Sequence, residues 1–145
     1  MLLDIDALPL VDMEFMNEVH QEDVHIINRL FERLLAYENE PSEENAIKVD
    51  TVFEEWYTHT LSHFEREEVK MKESGFPPYG MHKAEHDRVL GEMKNLLETW
   101  KETREPKPLK IYLIEVLPAW LLTHIQTMDT VTARFFKTGI SPCNI

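Results

Sequence analysis

Histidines and carboxylates recur at helical spacing along this chain, and side chains of these types suit metal binding. Three segments each combine two of them: His63 with Glu67, His82 with His86, and His124 with Asp129. Residues four apart lie on the same face of an α-helix, so each of the first two pairs can direct both side chains to one place. Asp129 follows His124 by five residues, which turns it about 140° away on an α-helix. We therefore expect Asp129 to reach sideways, toward a second metal ion.

A further histidine, His20, lies upstream in an amphipathic segment of its own, so the chain offers seven candidate metal ligands. Five are imidazoles and two are carboxylates, a donor set that favours iron or manganese over zinc-finger or iron–sulfur chemistry. If both carboxylates and one solvent oxygen bridge two ions, three histidines complete six-coordination at one ion. The two remaining histidines leave the other ion with an open position, which suits a small exogenous ligand. Any one pair can arise by chance, but three pairs on separate predicted helices indicate a site.

Four long helices are predicted from apolar residues at helical spacing, at about 13–38, 43–73, 81–103 and 109–137. Ser42 is a predicted N-cap before an acidic first turn, and Gly75 is a predicted C-terminal cap. Residues 105–108 are predicted to form a short turn. Pro118 lies inside the last helix and is expected to kink or split it, because proline lacks an amide hydrogen and clashes one turn back.

Long amphipathic helices with short connections predict antiparallel neighbours. We therefore expect an all-α fold, an up-down-up-down antiparallel four-helix bundle with a short irregular N-terminal arm at about 1–12. At 145 residues, the chain is expected to form a single domain over 1–145. Each predicted helix carries one ligand segment, so the bundle can bring all the candidate ligands to one level of its interior.

The overall charge and the cysteine count restrict the partners and the compartment. A net charge of -12 without a basic block argues against nucleic acid and anionic membranes as partners. The single cysteine, Cys143, cannot form an intramolecular disulfide, which fits a reducing compartment. The first residues lack the basic start of a signal peptide, and no apolar run is expected to span a membrane. We expect a cytoplasmic protein.

These motifs resemble those of the hemerythrin family, in particular the single-domain bacterial hemerythrins. The resemblance rests on the elements HFxxEE, HxxxH and WLxxHIxxxD, which begin at His63, His82 and Trp120, and on His20 upstream. It implies a non-heme di-iron site that binds dioxygen reversibly for transport, storage or delivery. The implied ligand set has two parts and a bridge: His82, His86 and His124 at one iron; His20 and His63 at the other; Glu67, Asp129 and a solvent oxygen between them.

Oxygen binding, rather than catalysis, is the function that we expect. The donor set contains fewer carboxylates than the ferritin-like di-iron bundles, and less negative charge stabilises the reduced metals. Asp23 follows His20 by three residues, where the family commonly has a leucine beside the dioxygen pocket. A carboxyl group there could donate a proton, so a di-iron enzyme that handles peroxide or nitric oxide is an alternative. A sensor of oxygen or iron that acts through a partner is another.

Several neighbours of the candidate ligands have alternative interpretations. His59 lies one turn before His63 and is interpreted as a ligand, a relay or polar group at the pocket edge, or a partly exposed structural residue. His25 is expected to face solvent, and Glu65 and Glu68 are interpreted as surface charges. Four apolar residues either line the dioxygen pocket or belong to the plain core: Phe64, Trp120, Leu121 and Ile125. The other two tryptophans are assigned to the core: Trp56 and Trp100.

Overall fold

The computed structural model describes residues 3, 14–75 and 77–138; at residues 14, 15 and 135–138 it describes the main chain only. Nearly all of these residues are helical. Helix α1 spans Glu14–Asn39, α2 spans Glu43–Ser74, α3 spans Tyr79–Thr103, and α4 occupies residues 106–138. No strand occurs within these described ranges. Each helix packs against the next, and α4 also packs against α1. The predicted all-α four-helix bundle is confirmed.

The ends of α2 follow the local chemistry that the sequence predicts. Ser42 is the N-cap, and its hydroxyl oxygen accepts a hydrogen bond from the amide of Asn45 at 3.1 Å. Gly75 ends the helix in the left-handed region, with φ 68°, which glycine adopts without a steric penalty. Its amide donates to the carbonyl of Lys72 at 3.2 Å. Local interactions therefore set both ends of the helix that carries two candidate ligands.

Helix α4 begins earlier than the sequence predicts and is not a regular α-helix throughout. It starts at Pro106, so the predicted turn at residues 105–108 is wrong. Proline is favoured in a first helical turn, because the amide hydrogen that it lacks would have no partner there. Two π-helical turns, Tyr112–Val116 and Ile125–Asp129, interrupt the α-helical geometry. In each, the backbone hydrogen bonds span five residues instead of four.

Pro118 does not divide α4 into two helices, so the expected split is wrong. The first π turn directly precedes it, and there the amide of Leu117 donates to the carbonyl of Tyr112. In a regular α-helix, the proline ring would press on the carbonyl four residues back, that of Ile114. The wider turn of a π-helix changes the backbone path at that point. The irregularity therefore takes the form of a π turn within a continuous helix.

A polar cluster joins α2 to the end of α3. Asp50 accepts hydrogen bonds from the indole Nε1 of Trp100 at 2.7 Å and from Nη1 and Nη2 of Arg104 at 2.6 and 3.0 Å. Burial raises the pKa of the Asp50 carboxyl, but the bonds from Arg104 and Trp100 outweigh it and hold the pKa below its usual value. The indole itself is buried in the core, as expected for Trp100.

The apolar interior has two main clusters that flank the candidate ligands. The larger one, which includes Trp56 as expected, fills the space between all four helices. The smaller one joins α1 to α4 and consists of Met16, Val24, Leu121, Ile125 and Ala133. Trp120 is half-buried and packs against both clusters. The candidate ligands therefore lie in an apolar surrounding, where unpaired polar atoms are costly.

Leu3 is the part of the predicted N-terminal arm that the structure describes; the rest of the arm and Cys143 lie outside the described residues. The amide of Leu3 donates to Oδ1 of Asn28 at 2.8 Å, and Nδ2 of Asn28 donates to the carbonyl of Leu3 at 3.0 Å. The leucine side chain packs against both apolar clusters. These contacts attach Leu3 to α1.

One segment of the described chain, Pro106–Arg134, is long and apolar enough to cross a membrane by length and composition alone. An 18-residue stretch of it has a mean hydropathy of only 1.2, so the segment is weak evidence for a membrane span. The segment is the core helix of the bundle: Leu113, Leu117 and Ile125 are buried in it, together with His124 and Asp129. Packing in the bundle therefore accounts for part of its apolar composition, since Ile114, Val116 and Leu122 are exposed.

Candidate metal centre

All seven candidate ligands lie in the interior of the bundle, each at most 5% exposed. Every helix contributes: His20 from α1, His63 and Glu67 from α2, His82 and His86 from α3, His124 and Asp129 from α4. Their donor atoms form two groups, and within each group all donor atoms lie within 4.8 Å of one another. One group contains His82, His86, His124 and Asp129, and the other contains His20, His63 and Glu67.

Asp129 lies between the two groups and directs one oxygen at each. Its Oδ2 is 3.0 Å from Nε2 of His20, while its Oδ1 is 3.1 Å from Nε2 of His82 and 3.2 Å from Nε2 of His124. A carboxylate whose two oxygens address different sets of imidazoles has the arrangement that a bridging ligand requires.

Glu67 has the same arrangement. Its Oε2 contacts Nε2 of His63, within its own helix, and its Oε1 lies 3.7 Å from Nε2 of His82 and 3.6 Å from Nε2 of His86 on α3. The i,i+4 spacing on α2 accounts for the contact with His63. Both carboxylates therefore connect the pair of histidines to the group of three.

The π turn Ile125–Asp129 explains why Asp129 lies beside His124. On an α-helix, five residues would turn Asp129 about 140° away, as we expected from the sequence. In a π turn, hydrogen bonds connect residues five apart, so residues at that spacing share a face. The 3.2 Å distance between His124 Nε2 and Asp129 Oδ1 follows from that geometry. The expected sideways orientation relative to His124 is therefore wrong.

The unpaired atoms of the site support a metal. Glu67 Oε1, Asp129 Oδ1 and His86 Nε2 are fully buried and have no hydrogen-bond partner among the described residues. Buried polar groups normally have a partner, because an unpaired one loses its hydration without compensation. These three atoms converge on the same space, and their oxygen and nitrogen chemistry suits iron or manganese. The residues present therefore fit a metal centre.

Three of the five histidines have a hydrogen-bond partner behind the ring. Nδ1 of His63 lies 3.2 Å from Oδ2 of Asp23, and Nδ1 of His82 lies 2.8 Å from the hydroxyl of Thr132. Nδ1 of His86 lies 3.0 Å from Oε2 of Glu68. An Nδ1–H that donates to such a partner fixes the ring orientation and leaves Nε2 free to bind a metal. By contrast, Nδ1 of His20 and His124 has no partner among the described residues.

Glu68 is therefore not the surface charge that we interpreted it to be. It is largely buried, since 14% of its side chain is exposed, and it supports His86 from behind. The interpretation was wrong because the contact joins α2 to α3, and the spacing of residues within α2 does not predict it. Thr132 was missed for the same reason, because it lies on α4 and its partner His82 lies on α3. Glu65, in contrast, is exposed as expected.

Asp23 connects the interior of the site to the surface through His59. Its Oδ1 lies 2.6 Å from Nδ1 of His59, whose Nε2 lies 2.9 Å from the exposed Glu22. His59 is half-buried and is not a member of either group of metal-binding donors. The ligand interpretation of His59 is thus unsupported, and it is a polar residue that holds Asp23. His25 is exposed, as expected.

Charges around the histidines follow from burial and from these contacts. Burial lowers the pKa of His86 to about 2, helped by the neighbouring imidazoles, so this ring is neutral. Burial also opposes charge on His63, but Glu67 and Asp23 raise its pKa well above the usual value. For Asp23, burial raises the pKa, and the bonds with His59 and His63 outweigh it and lower the pKa. The carboxylates thus create a negative field that also attracts metal cations.

A cavity of about 30 Å³ lies beside the donor groups. It is large enough for a water molecule, which needs roughly 10–15 Å³, or for a diatomic gas. His20, His63, His124 and Asp129 contribute to its wall. Most of the remaining wall is apolar: Ile27, Trp56, Phe64, Val89, Met93, Leu117, Trp120 and Leu121. A small apolar ligand next to the metal positions fits this space.

Two aromatic rings of the wall hold histidines in place. Phe64 stacks on His86 with centroids 3.8 Å apart and planes at 3°, and Trp120 stacks on His124 at 4.6 Å and 17°. The indole of Trp120 also donates to Oε1 of Glu85 at 2.7 Å. The two rings therefore both line the cavity and orient ring nitrogens of α3 and α4.

Asp23 and Leu121 reach the cavity wall as well, but Ile125 does not. Ile125 is fully buried in the smaller apolar cluster between α1 and α4. Of the two interpretations of this residue, the plain core is therefore the one that fits its position.

Comparisons with known proteins agree on one family. Residues 12–135 match the family profile described as the hemerythrin HHE cation binding domain. A bacteriohemerythrin of Aquifex aeolicus (strain VF5) is 31% identical over 134 residues, which cover 92% of this chain and 97% of the relative. A bacteriohemerythrin of Ralstonia nicotianae is 32% identical over 71 residues, about half of each chain.

Solved structures agree on the fold. A crystal structure of a hemerythrin mutant superposes with a TM-score of 0.70 at 18% identity, covering 88% of this chain and 91% of that one. A second hemerythrin mutant gives the same values. The family profile matches most of the chain, and the relative from Aquifex aeolicus is 31% identical over nearly its whole length. The chain therefore belongs to the hemerythrin family.

Proposed function

We propose that this protein is a non-heme di-iron protein that binds dioxygen reversibly, as a carrier, a store or a delivery protein. The observation that carries the proposal is the placement of the two carboxylates. Glu67 and Asp129 each direct one oxygen at the pair of histidines and the other at the group of three. A single metal ion at one group would bind only the carboxylate oxygens that are directed at that group. Two ions, one at each group, would bind both oxygens of Glu67 and both oxygens of Asp129.

The assignment of ligands in the proposal follows the two donor groups. His82, His86 and His124 would hold one iron, His20 and His63 would hold the other, and a solvent oxygen would join Glu67 and Asp129 as a bridge. The group with two histidines has the smaller donor set, and both of its histidines line the cavity. The open coordination position is therefore proposed on that iron, next to the space that a diatomic ligand fits.

When bound, the iron pair supplies the electrons that hold dioxygen; the chain's own residues bind, orient and shield. Phe64 and Trp120 fix the planes of His86 and His124, and most of the remaining cavity wall is apolar. Asp23 accepts a hydrogen bond from His63 and so orients the ring toward the metal position. Exclusion of water from an apolar pocket favours a neutral gas over ionic ligands.

The enzyme alternative rested on Asp23 as a proton donor, and its surroundings do not favour that role. Both carboxyl oxygens are engaged, one by His59 and one by His63. Its lowered pKa keeps this group an anion that accepts hydrogen bonds. A binding function therefore has more support than peroxide or nitric oxide chemistry, and the part of the chain described here offers no specific observation for a sensor.

The proposal extends to the organisation and location of the chain. The match to one family profile over residues 12–135 supports a single domain over 1–145. The single cysteine, which cannot form an intramolecular disulfide, supports a cytoplasmic location.

The test is to load the protein with ferrous iron without oxygen, admit air, and record the visible spectrum. We expect two irons per chain and a ligand-to-metal charge-transfer band that appears with oxygen and vanishes on deoxygenation. His86→Ala should lose iron and the band, while the matched control His25→Ala, at an exposed histidine, should keep both. One iron per chain, or a band that deoxygenation does not reverse, would contradict the proposal.

A further inference from the structure

Thr60 lies in the cavity wall and has a buried hydroxyl without a partner in the described part of the chain. The residue lies on α2, three positions before His63, and is 5% exposed. Its Oγ1 is fully buried and has no hydrogen-bond partner among the described residues. The side chain forms part of the cavity wall. A hydroxyl in this position lacks the partner that buried polar groups normally have.

Thr60 differs from the other buried threonine of the described residues, Thr132, whose hydroxyl is bonded to His82. A threonine inside a helix usually bonds its hydroxyl to the carbonyl one turn back. Thr51 and Thr127 do so with the carbonyls of Ile47 and Thr123, at 3.0 and 2.7 Å. The corresponding carbonyl for Thr60 is that of Trp56, and no such bond forms. The hydroxyl of Thr60 is therefore not engaged by the described residues, and its side chain borders the cavity.

Thr60 is also a polar group of the wall that has a proton to donate. Apart from the candidate ligands, the polar side chains of the wall within the described residues are Asp23 and Thr60, besides the indoles. The carboxylate of Asp23 is already bonded to His59 and His63. The indole of Trp120 donates to Glu85. A hydroxyl, in contrast, can donate one hydrogen bond and rotate to suit the acceptor.

We propose that Thr60 donates a hydrogen bond to the small ligand in the cavity and thereby slows its release. The inference rests on the proposed function, since the ligand it concerns is dioxygen at the same site. A single neutral hydrogen bond changes an equilibrium by roughly 3- to 10-fold. Within one site, most differences of affinity appear in the dissociation rate. Thr60 is thus a residue that sets how long dioxygen stays bound.

The experiment compares four proteins: wild type, Thr60→Val, Thr60→Ser and Thr51→Val. Valine has the shape of threonine without the hydroxyl, serine keeps the hydroxyl, and Thr51 is an exposed threonine of the same helix. Iron-loaded, oxygenated samples are mixed with an oxygen scavenger, and the dissociation rate is recorded by stopped flow. We expect Thr60→Val to release dioxygen about 3- to 10-fold faster, and the other two variants to behave like wild type.

A second measurement does not use iron: thermal unfolding of the iron-free proteins. Because the hydroxyl has no protein partner, Thr60→Val should melt no lower than wild type. A much lower melting temperature would show a hidden protein partner and overturn the proposal. So would equal dissociation rates in Thr60→Val and wild type, or a fast rate in Thr60→Ser, which would implicate the methyl group. If wild type itself bound no dioxygen, the proposed function would fail first, and the role of Thr60 toward dioxygen with it.

Discussion

Replacing Glu68 by alanine tests whether the support behind His86 matters for the metal centre. The variant removes the carboxylate that lies 3.0 Å from Nδ1 of His86, a ring that is fully buried. Loss of such a partner typically lowers metal affinity by about 10- to 100-fold, equivalent to roughly 1.4–2.7 kcal/mol. Glu68 also lies 3.6 Å from the ammonium group of Lys83, which partly neutralises it. We therefore expect the lower end of that range, about tenfold.

The assay is an anaerobic competition for ferrous iron against a chromophoric chelator. Glu65→Ala is the matched control, since Glu65 belongs to the same helix, has the same charge and is exposed. Glu68→Gln keeps an acceptor without the charge and should lose less affinity than Glu68→Ala. If Glu68→Ala bound iron as tightly as Glu65→Ala, the hydrogen bond between Glu68 and His86 would not contribute to metal affinity, and the prediction would be wrong.

Three further predictions concern stability and the cavity wall. Asp50→Asn should lower the unfolding free energy by about 1–2 kcal/mol at neutral pH, because asparagine has one acceptor oxygen instead of two and lacks the charge that strengthens the bonds from Arg104. Because the folded-state pKa of Asp50 is lowered, the carboxylate stabilises the fold above the unfolded pKa of about 3.9, and this stabilisation is lost as the pH falls through the folded pKa. If denaturant titrations gave the same difference in unfolding free energy between wild type and Asp50→Asn from pH 7 to pH 3, the prediction would be contradicted. Removal of iron by a chelator should lower the melting temperature, because bound metal at 100 times its Kd adds about 2.7 kcal/mol; identical melting curves would refute a bound metal. Glu85→Ala should speed dioxygen release roughly 2- to 5-fold in stopped flow by freeing the indole of Trp120, and it should have no effect in a Trp120→Phe background, where the donor is already gone.

Contacts at regular α-helical spacing were predictable from the sequence, whereas specific pairs of residues on different helices, such as Glu68 with His86, were not. His63 and Glu67 meet because four residues complete about one turn, which requires no knowledge of the rest of the fold. The contact of Glu68 with His86 depends on how α2 and α3 are rotated against each other. No pattern along one helix encodes that rotation. The bundle itself was predictable, since its helix ends depend on local signals such as those of Ser42 and Gly75.

The errors in α4 have a common origin in the assumption of a uniform α-helix. Pro118 was expected to kink or split the helix, and Asp129 was expected to lie about 140° around the helix from His124. Both expectations use 3.6 residues per turn, and in both places the backbone forms a π turn. A template of 3.6 residues per turn does not include the extra residue of a π turn, so it assigns the wrong angle to residue pairs that span such a turn.

The π turn at Ile125–Asp129 also affects how this centre tolerates insertions and deletions. A π turn contains one residue more than the α turn that it replaces, so five residues here do what four would do in a regular helix. Deletion of Gln126, which is exposed within the turn, would therefore shorten the spacing while keeping His124 and Asp129 on one face. A deletion elsewhere between two ligands of a regular helix would rotate one of them by about 100°. His124 and Asp129 can therefore meet in space at two different spacings in the sequence. They are five residues apart with the π turn and would be four residues apart with an α turn.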